Sequence, residues 1–131
     1  MPKSPLRVGT GAAFSGDRID PALVLAEHGE LDFHVFECLA ERTIALAQVR
    51  KRRDPRKGYD PLFERRMEGL LPLFARRRFR IVTNMGAANP LAAADALLLI
   101  ARRLGVPLKV AVVMGDDVLD RLDRDAPSME T

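Results

Sequence analysis

The chain has one cysteine, Cys38, among its 131 residues, so it can form no internal disulfide. That excludes a small secreted scaffold built on disulfides. Tryptophan is absent and aromatic residues make up only 5% of the chain. The core therefore has to be assembled from Leu, Val, Ile and Ala, the usual composition where helices cover a parallel sheet. No stretch is long and apolar enough to span a bilayer, and residues 1–6 lack the apolar segment of a secretory signal. The expectation is a cytoplasmic protein with no membrane partner. Neither a dinucleotide fingerprint nor a phosphate loop occurs: Gly9, Gly11 and Gly16 have the wrong spacing, and Gly-Lys-Ser/Thr is missing. His28 and His34 make no metal-ligand pattern, and His34, alternating with Phe33 and Val35, reads as an outward-facing strand residue.

What is present is a globular composition. Apolar residues make up 47% of the chain, and the length suits one domain over residues 1–131. The net charge is +3, with the basic residues mostly Arg. That is too modest an excess to imply a nucleic-acid partner.

Along the chain, a first short strand is expected at residues 6–9, ended by a run of small residues. Asp20-Pro21 opens a helix that Gly29 can end, a second strand covers residues 31–37, and a helix starts at Leu39 and runs to about Arg53. Asp60-Pro61 opens another helix, with Leu62, Phe63, Met67, Leu70, Leu71 and Phe74 at helical spacing and Pro72 as a point where its last turn bends or breaks. A third strand at residues 79–84 leads into Asn89-Pro90, a cap-plus-proline helix start. The helix after it is apolar almost all round, and residues 108–114 read as a fourth strand followed by a helix start at 118–122. This order predicts an α/β fold: an open, mostly parallel sheet of about four strands with helices on both faces, a Rossmann-like three-layer sandwich. The tail, residues 123–131, is polar and unpatterned, as in a truncated domain.

In a parallel sheet every loop that follows a strand opens on one rim, where ligands bind. Thr10, Ser15, Asp17 and Arg18 are expected there after the first strand, and Glu37, Glu41 and Arg42 after the second. Asn84, Gly86 and Asn89 follow the third strand, and Asp116 and Asp117 the fourth. Glu37, Glu41 and Asp117 are the candidate general acids and bases. Gly11, Ser15, Gly16, Asp17, Arg18, Arg42, Asn84, Gly86, Asn89 and Asp116 are the candidate ligand contacts. The acids could also hold a hard divalent cation, and small residues around Gly11 would let amides approach a phosphate or carboxylate. Each of these residues has a plainer use as a helix cap or salt-bridge partner. Cys38 reads as a small buried hydrophobe. The basic run from Arg50 to Lys57 has no interleaved aromatics for base stacking and suits a solvated helix C-terminus.

The runs Ala13-Phe14-Ser15-Gly16-Asp17-Arg18, Phe36-Glu37-Cys38-Leu39-Ala40-Glu41-Arg42-Thr43, Gly58-Tyr59-Asp60-Pro61, Val82-Thr83-Asn84-Met85-Gly86-Ala87-Ala88-Asn89-Pro90-Leu91 and Gly115-Asp116-Asp117-Val118 occur in this order. They resemble the N-terminal part of the acyclic terpene utilisation AtuA family. The resemblance implies a bacterial cytoplasmic protein tied to catabolism of citronellol- and geraniol-type compounds, handled as acyl-CoA thioesters. Family members are several times longer, so the chain corresponds to an N-terminal fragment. The function expected is an enzyme, or part of one, acting on an acyl-CoA or carboxylate by hydratase- or lyase-type acid–base chemistry, as a homo-oligomer or with a companion subunit. The other reading is a non-catalytic subunit that binds coenzyme A or a nucleotide and docks a partner enzyme.

Overall fold

The computed structural model describes residues 5–123. Within them the chain forms strand β1 (Val8–Ala12), helix α1 (Asp20–His28), strand β2 (Phe33–Phe36) and helix α2 (Glu41–Arg53). Helix α3 (Phe63–Arg77), strand β3 (Arg80–Thr83), helix α4 (Pro90–Arg103) and a short 3-10 turn at Leu119–Arg121 follow. The three strands are parallel and lie in the order β1-β2-β3. The α/β class and the parallel sheet agree with the sequence reading. The expected fourth strand differs: residues 108–114 are not hydrogen-bonded into the sheet. The expected helix start at 118–122 is only the 3-10 turn, and the tail expectation falls outside the described residues except at Asp123.

The strand order decides which face is covered. Right-handed crossovers that all step in one direction place their helices on the same side of the sheet. α1 and α3 accordingly pack together and α3 packs on α4. Phe36, Met67, Leu70, Leu71, Phe79, Met85 and Ile100 form the core between this helical layer and the sheet. In register, Val8, Phe33 and Arg80 align, as do Thr10, Val35 and Val82, and these residues share the opposite face. That face is open, with Val8 62% and Val82 50% exposed. Helices on both faces were expected; in the described residues only one face carries a helical layer.

The same geometry corrects His34. It is fully buried beside Phe36, at 4.5 Å between ring centroids, and Phe79, at 5.7 Å. Phe33 and Val35, taken from the sequence as core positions, are only half-buried on the open face. Thr10 also lies on that open face, away from the rim.

Local signals acted as expected in some places. Asn89 caps α4, its Oδ1 accepting from Ala92 N at 3.4 Å, with Pro90 beginning the helix. α1 ends at Gly29, whose N–H donates to the Leu25 carbonyl at 2.7 Å. Asp20, in contrast, is already helical and makes no capping bond; Ile19 holds the cap position. α2 starts at Glu41, two residues later than expected, because Thr43 Oγ1 accepts from Ala40 N at 2.7 Å and fixes the chain there. Pro72 lies inside α3 without ending it. Arg76 and Arg77 of α3 both pair with Glu27 of α1, at 2.9 and 2.8 Å.

Candidate functional site

Because the strands are parallel, the turns after β1, β2 and β3 open at one rim, and side-chain bonds join the turns after β2 and β3. Asn84, following β3, donates from Nδ2 to Glu37 Oε1 at 2.9 Å and accepts at Oδ1 from Cys38 N at 2.7 Å. Glu37 Oε1 also accepts from Leu39 N at 2.9 Å. These two bonds, the one from Asn84 foremost, hold the Glu37 carboxyl below the usual carboxylate range, so it is ionised at neutral pH. Ser15 Oγ, in the loop after β1, donates to Asp60 Oδ2, and Asp60 Oδ1 accepts from Leu62 N at 2.8 Å. Asp17 turns back on its own loop, accepting from Ala13 N at 3.0 Å and Arg18 N at 2.8 Å, which keeps its carboxyl low.

The turn between β3 and α4 is braced from beside it by residues 58–60. Ala88 N donates to the Gly58 carbonyl at 2.9 Å, and Asp60 N to the Met85 carbonyl at 2.8 Å. Asn89 Nδ2 donates to the carbonyls of Pro55 and Lys57 at 2.7 and 2.8 Å. Asn89 is thus wholly occupied by the protein itself. Gly86 packs so closely that an added Cβ would lie 2.8 Å from Pro90 Cα.

Other expected site residues stand apart. Glu41 and Arg42 are exposed on the first turn of α2, and Arg18 is exposed and paired with Asp20 at 3.5 Å. Asp117 is exposed and its Oδ1 accepts from Leu119 N at 3.4 Å, whereas Asp116, also exposed, borders a cavity beside β3. The acids do not gather around a cation: among the described residues there is no group of three or more His, Cys, Asp or Glu that could hold a metal ion. Gly11 serves packing, since a Cβ there would sit 2.5 Å from His34 Nε2. At Gly16 an added Cβ would meet Phe14 at 3.3 Å, a tight contact that the exposed Phe14 ring can relieve by a small shift. Cys38 is buried, and burial pushes its thiol up to about 11, so no thiolate forms at neutral pH. In the basic connector Arg56 pairs with Asp54 at 3.1 Å, and Lys57 with Glu64 at 3.4 Å.

Two features escaped the sequence reading. The first is a cavity of about 1000 Å³ beside the free edge of β3. Phe63, Met67, Leu71 and Phe74 of α3 and Ala93, Ala94 and Leu97 of α4 form its apolar walls, and residues 107–114 run along its far side. Thr83, Asn84, Gly86 and Asp116 also line it, as do the cationic residues Arg80 and Lys109. The second is Arg66, the largest fully buried side chain among the described residues. Its Nη2 donates to the carbonyls of Asp17, at 2.7 Å, and Ser15, at 3.2 Å. One signal could have revealed it: Arg66 falls in the apolar stripe formed by Phe63, Met67, Leu70 and Leu71, where a charged residue is out of place.

Among the described residues no helix is long and apolar enough to cross a membrane. No curated protein and no solved structure matches the chain. The model of one family, described as acyclic terpene utilisation family protein AtuA, matches residues 6–131, nearly the whole sequence. The chain therefore belongs to the acyclic terpene utilisation family AtuA.

Proposed function

We propose that the chain forms the acyl-binding part of an enzyme of acyclic terpene catabolism. A branched apolar acyl chain, carried as a carboxylate or a coenzyme A thioester, lies in the cavity beside β3 with its carbonyl end at the Asn84–Gly86 turn. The observation that carries this reading is the cavity itself. Its volume of about 1000 Å³ is at the upper end of the range for small-molecule sites, and such sites combine apolar walls with a few polar groups. The family description, naming acyclic terpenes, fits a pocket of that chemistry.

Glu37 is the best-placed general base for a hydration or elimination step. It is ionised, and Asn84, which lines the cavity, fixes one of its oxygens. A carboxylate held in this way is ready to take a proton from carbon or water, at the cost of lower basicity. Glu37, Glu41 and Asp117 are all exposed, and Glu41 and Asp117, which lack a bond to a cavity-lining group among the described residues, are weaker candidates. The Gly86 amide is a candidate donor to the substrate carbonyl oxygen. The setting we infer is the bacterial cytoplasm, with this unit at the N-terminus of a longer chain. The test is turnover of citronellyl- and geranyl-type acyl-CoA thioesters by wild type, Glu37→Gln and Glu41→Gln. Unchanged turnover in Glu37→Gln removes that residue from the mechanism.

A second reading, a non-catalytic subunit that binds coenzyme A or a nucleotide and docks a partner, draws on the open sheet face with its exposed Val8 and Val82. Calorimetry with coenzyme A, ATP and NAD tests the ligand-binding part of both readings. Absence of binding to all three leaves docking alone.

A further inference from the structure

We propose that Arg66 is the recognition group of a buried oxyanion site, taking a carboxylate or phosphate group beneath the loop of residues 13–19 that follows β1. A guanidinium carries five N–H donors and no acceptor. In this protein only Nη2 is used, on the carbonyls of Ser15 and Asp17. Nε and Nη1, which carry the other three N–H groups, are buried and have no hydrogen-bond partner. Arg66 also makes no ion pair with any described residue. A fully buried cation with no carboxylate in hydrogen-bond contact and with unsaturated donors is among the costliest arrangements in a folded protein, and each such group calls for a physical explanation.

The carboxylates in the neighbourhood do not supply that explanation. Asp17 feels the Arg66 charge, yet its two oxygens are engaged by Ala13 N and Arg18 N. Both oxygens of Asp60 are engaged, by Leu62 N and Ser15 Oγ. The buried Cys38 thiol, which also senses Arg66, stays protonated at neutral pH because burial dominates its titration. What Arg66 lacks is an external acceptor with negative charge and several oxygens. Carboxylate and phosphate are the groups that planar guanidinium geometry matches.

Access runs through the loop. Two of its carbonyls are what Nη2 holds, and Phe14 at its tip is 58% exposed instead of anchored in the core. Lifting the loop exchanges carbonyl–arginine bonds for oxyanion–arginine bonds, so the guanidinium keeps acceptors in both states and gains a counter-charge in one. Arg66 does not line the cavity beside β3, so this site stands or falls separately from the acyl-binding reading.

The test uses the intact protein labelled with ¹⁵N and follows the Arg66 Nε–Hε resonance. Inorganic phosphate and sodium acetate are titrated in separate arms at constant ionic strength, with chloride as the control. The expected result is a saturable shift in the phosphate arm, the acetate arm or both, with none from chloride, and an affinity loss of about tenfold or more in Arg66→Lys, which keeps the charge but not the fork. A response to phosphate alone assigns a phosphate ligand, and a response to acetate alone a carboxylate. An Arg66 resonance that ignores both anions in wild type overturns the proposal and leaves ordered water as the partner of Nε and Nη1. An equal response in Arg66→Lys, followed through the thermal midpoint, overturns it as well.

Discussion

Asn84 and Glu37 are bonded across the ends of two neighbouring strands, Nδ2 to Oε1 at 2.9 Å. The same Asn84 side chain accepts the Cys38 amide, so a single residue after β3 fixes both the carboxylate and the backbone after β2. Sequence spacing brings these two residues no closer than 47 positions apart. The parallel register makes them partners.

Replacing Asn84 with Ala should therefore act on Glu37 and on stability together. Asn84 is the foremost cause of the lowered Glu37 titration, so its loss moves the Glu37 midpoint up toward the ordinary carboxylate value. The Cys38 amide loses its acceptor, at a cost of about 1–2 kcal/mol. Carboxyl ¹³C NMR against pH reads the first effect and urea unfolding the second. A Glu37 midpoint that stays put would show that the Leu39 amide alone holds it.

His34 makes stability depend on acid. Burial lowers its imidazole from 6.5 to about 4. Between those values the unfolded chain binds the proton and the folded chain does not. The contribution is thus complete above the unfolded value, is lost as pH falls from 6.5 toward 4, and changes no further below that. The loss should be on the order of 3 kcal/mol. His34→Leu should flatten this part of the urea-midpoint profile; an unchanged slope would assign the acid sensitivity to other groups.

Gly11→Ala and Gly16→Ala should behave oppositely. A Cβ at Gly11 would press on His34 Nε2 at 2.5 Å, which costs about 1–3 kcal/mol. A Cβ at Gly16 meets only Phe14, at 3.3 Å, and should leave the thermal midpoint nearly unchanged. Equal destabilisation would mean that the loop after β1 is packed more tightly than it appears from either glycine.

Ala94→Phe introduces a ring into the cavity wall. Binding of citronellic-type carboxylates should weaken by about tenfold or more, since apolar contact area is displaced. The Arg66 resonance should still respond to small anions. Retained carboxylate affinity together with a correctly folded variant would remove the cavity from the acyl-binding role.

Much of the local structure was legible. Asn89-Pro90 gave the start of α4, and the apolar stripe gave α3, because caps and helical periodicity act within a few residues. The rim was legible in part: Ser15, Asp17, Glu37 and Asn84 do come to one end of the sheet, as parallel strands require. Their occupations were not legible. Asn89 is consumed by the carbonyls of Pro55 and Lys57, and Asp17 by its own loop, and such pairings depend on how separate segments approach.

Composition and periodicity by themselves determined that this would be an α/β protein with a parallel sheet, and its family motifs placed it among relatives; the expected aliphatic core instead centres on Phe36, Phe79, Met67 and Met85 beside Leu70 and Leu71. The order of the strands belonged to the tertiary structure alone. An order of β1-β2-β3 sends successive right-handed crossovers to one side, which buries His34, exposes Val8 and Val82, and closes Arg66 beneath a loop distant in sequence. A side chain's alternation along a strand says only that two faces exist; which of them is dry depends on where the helices land.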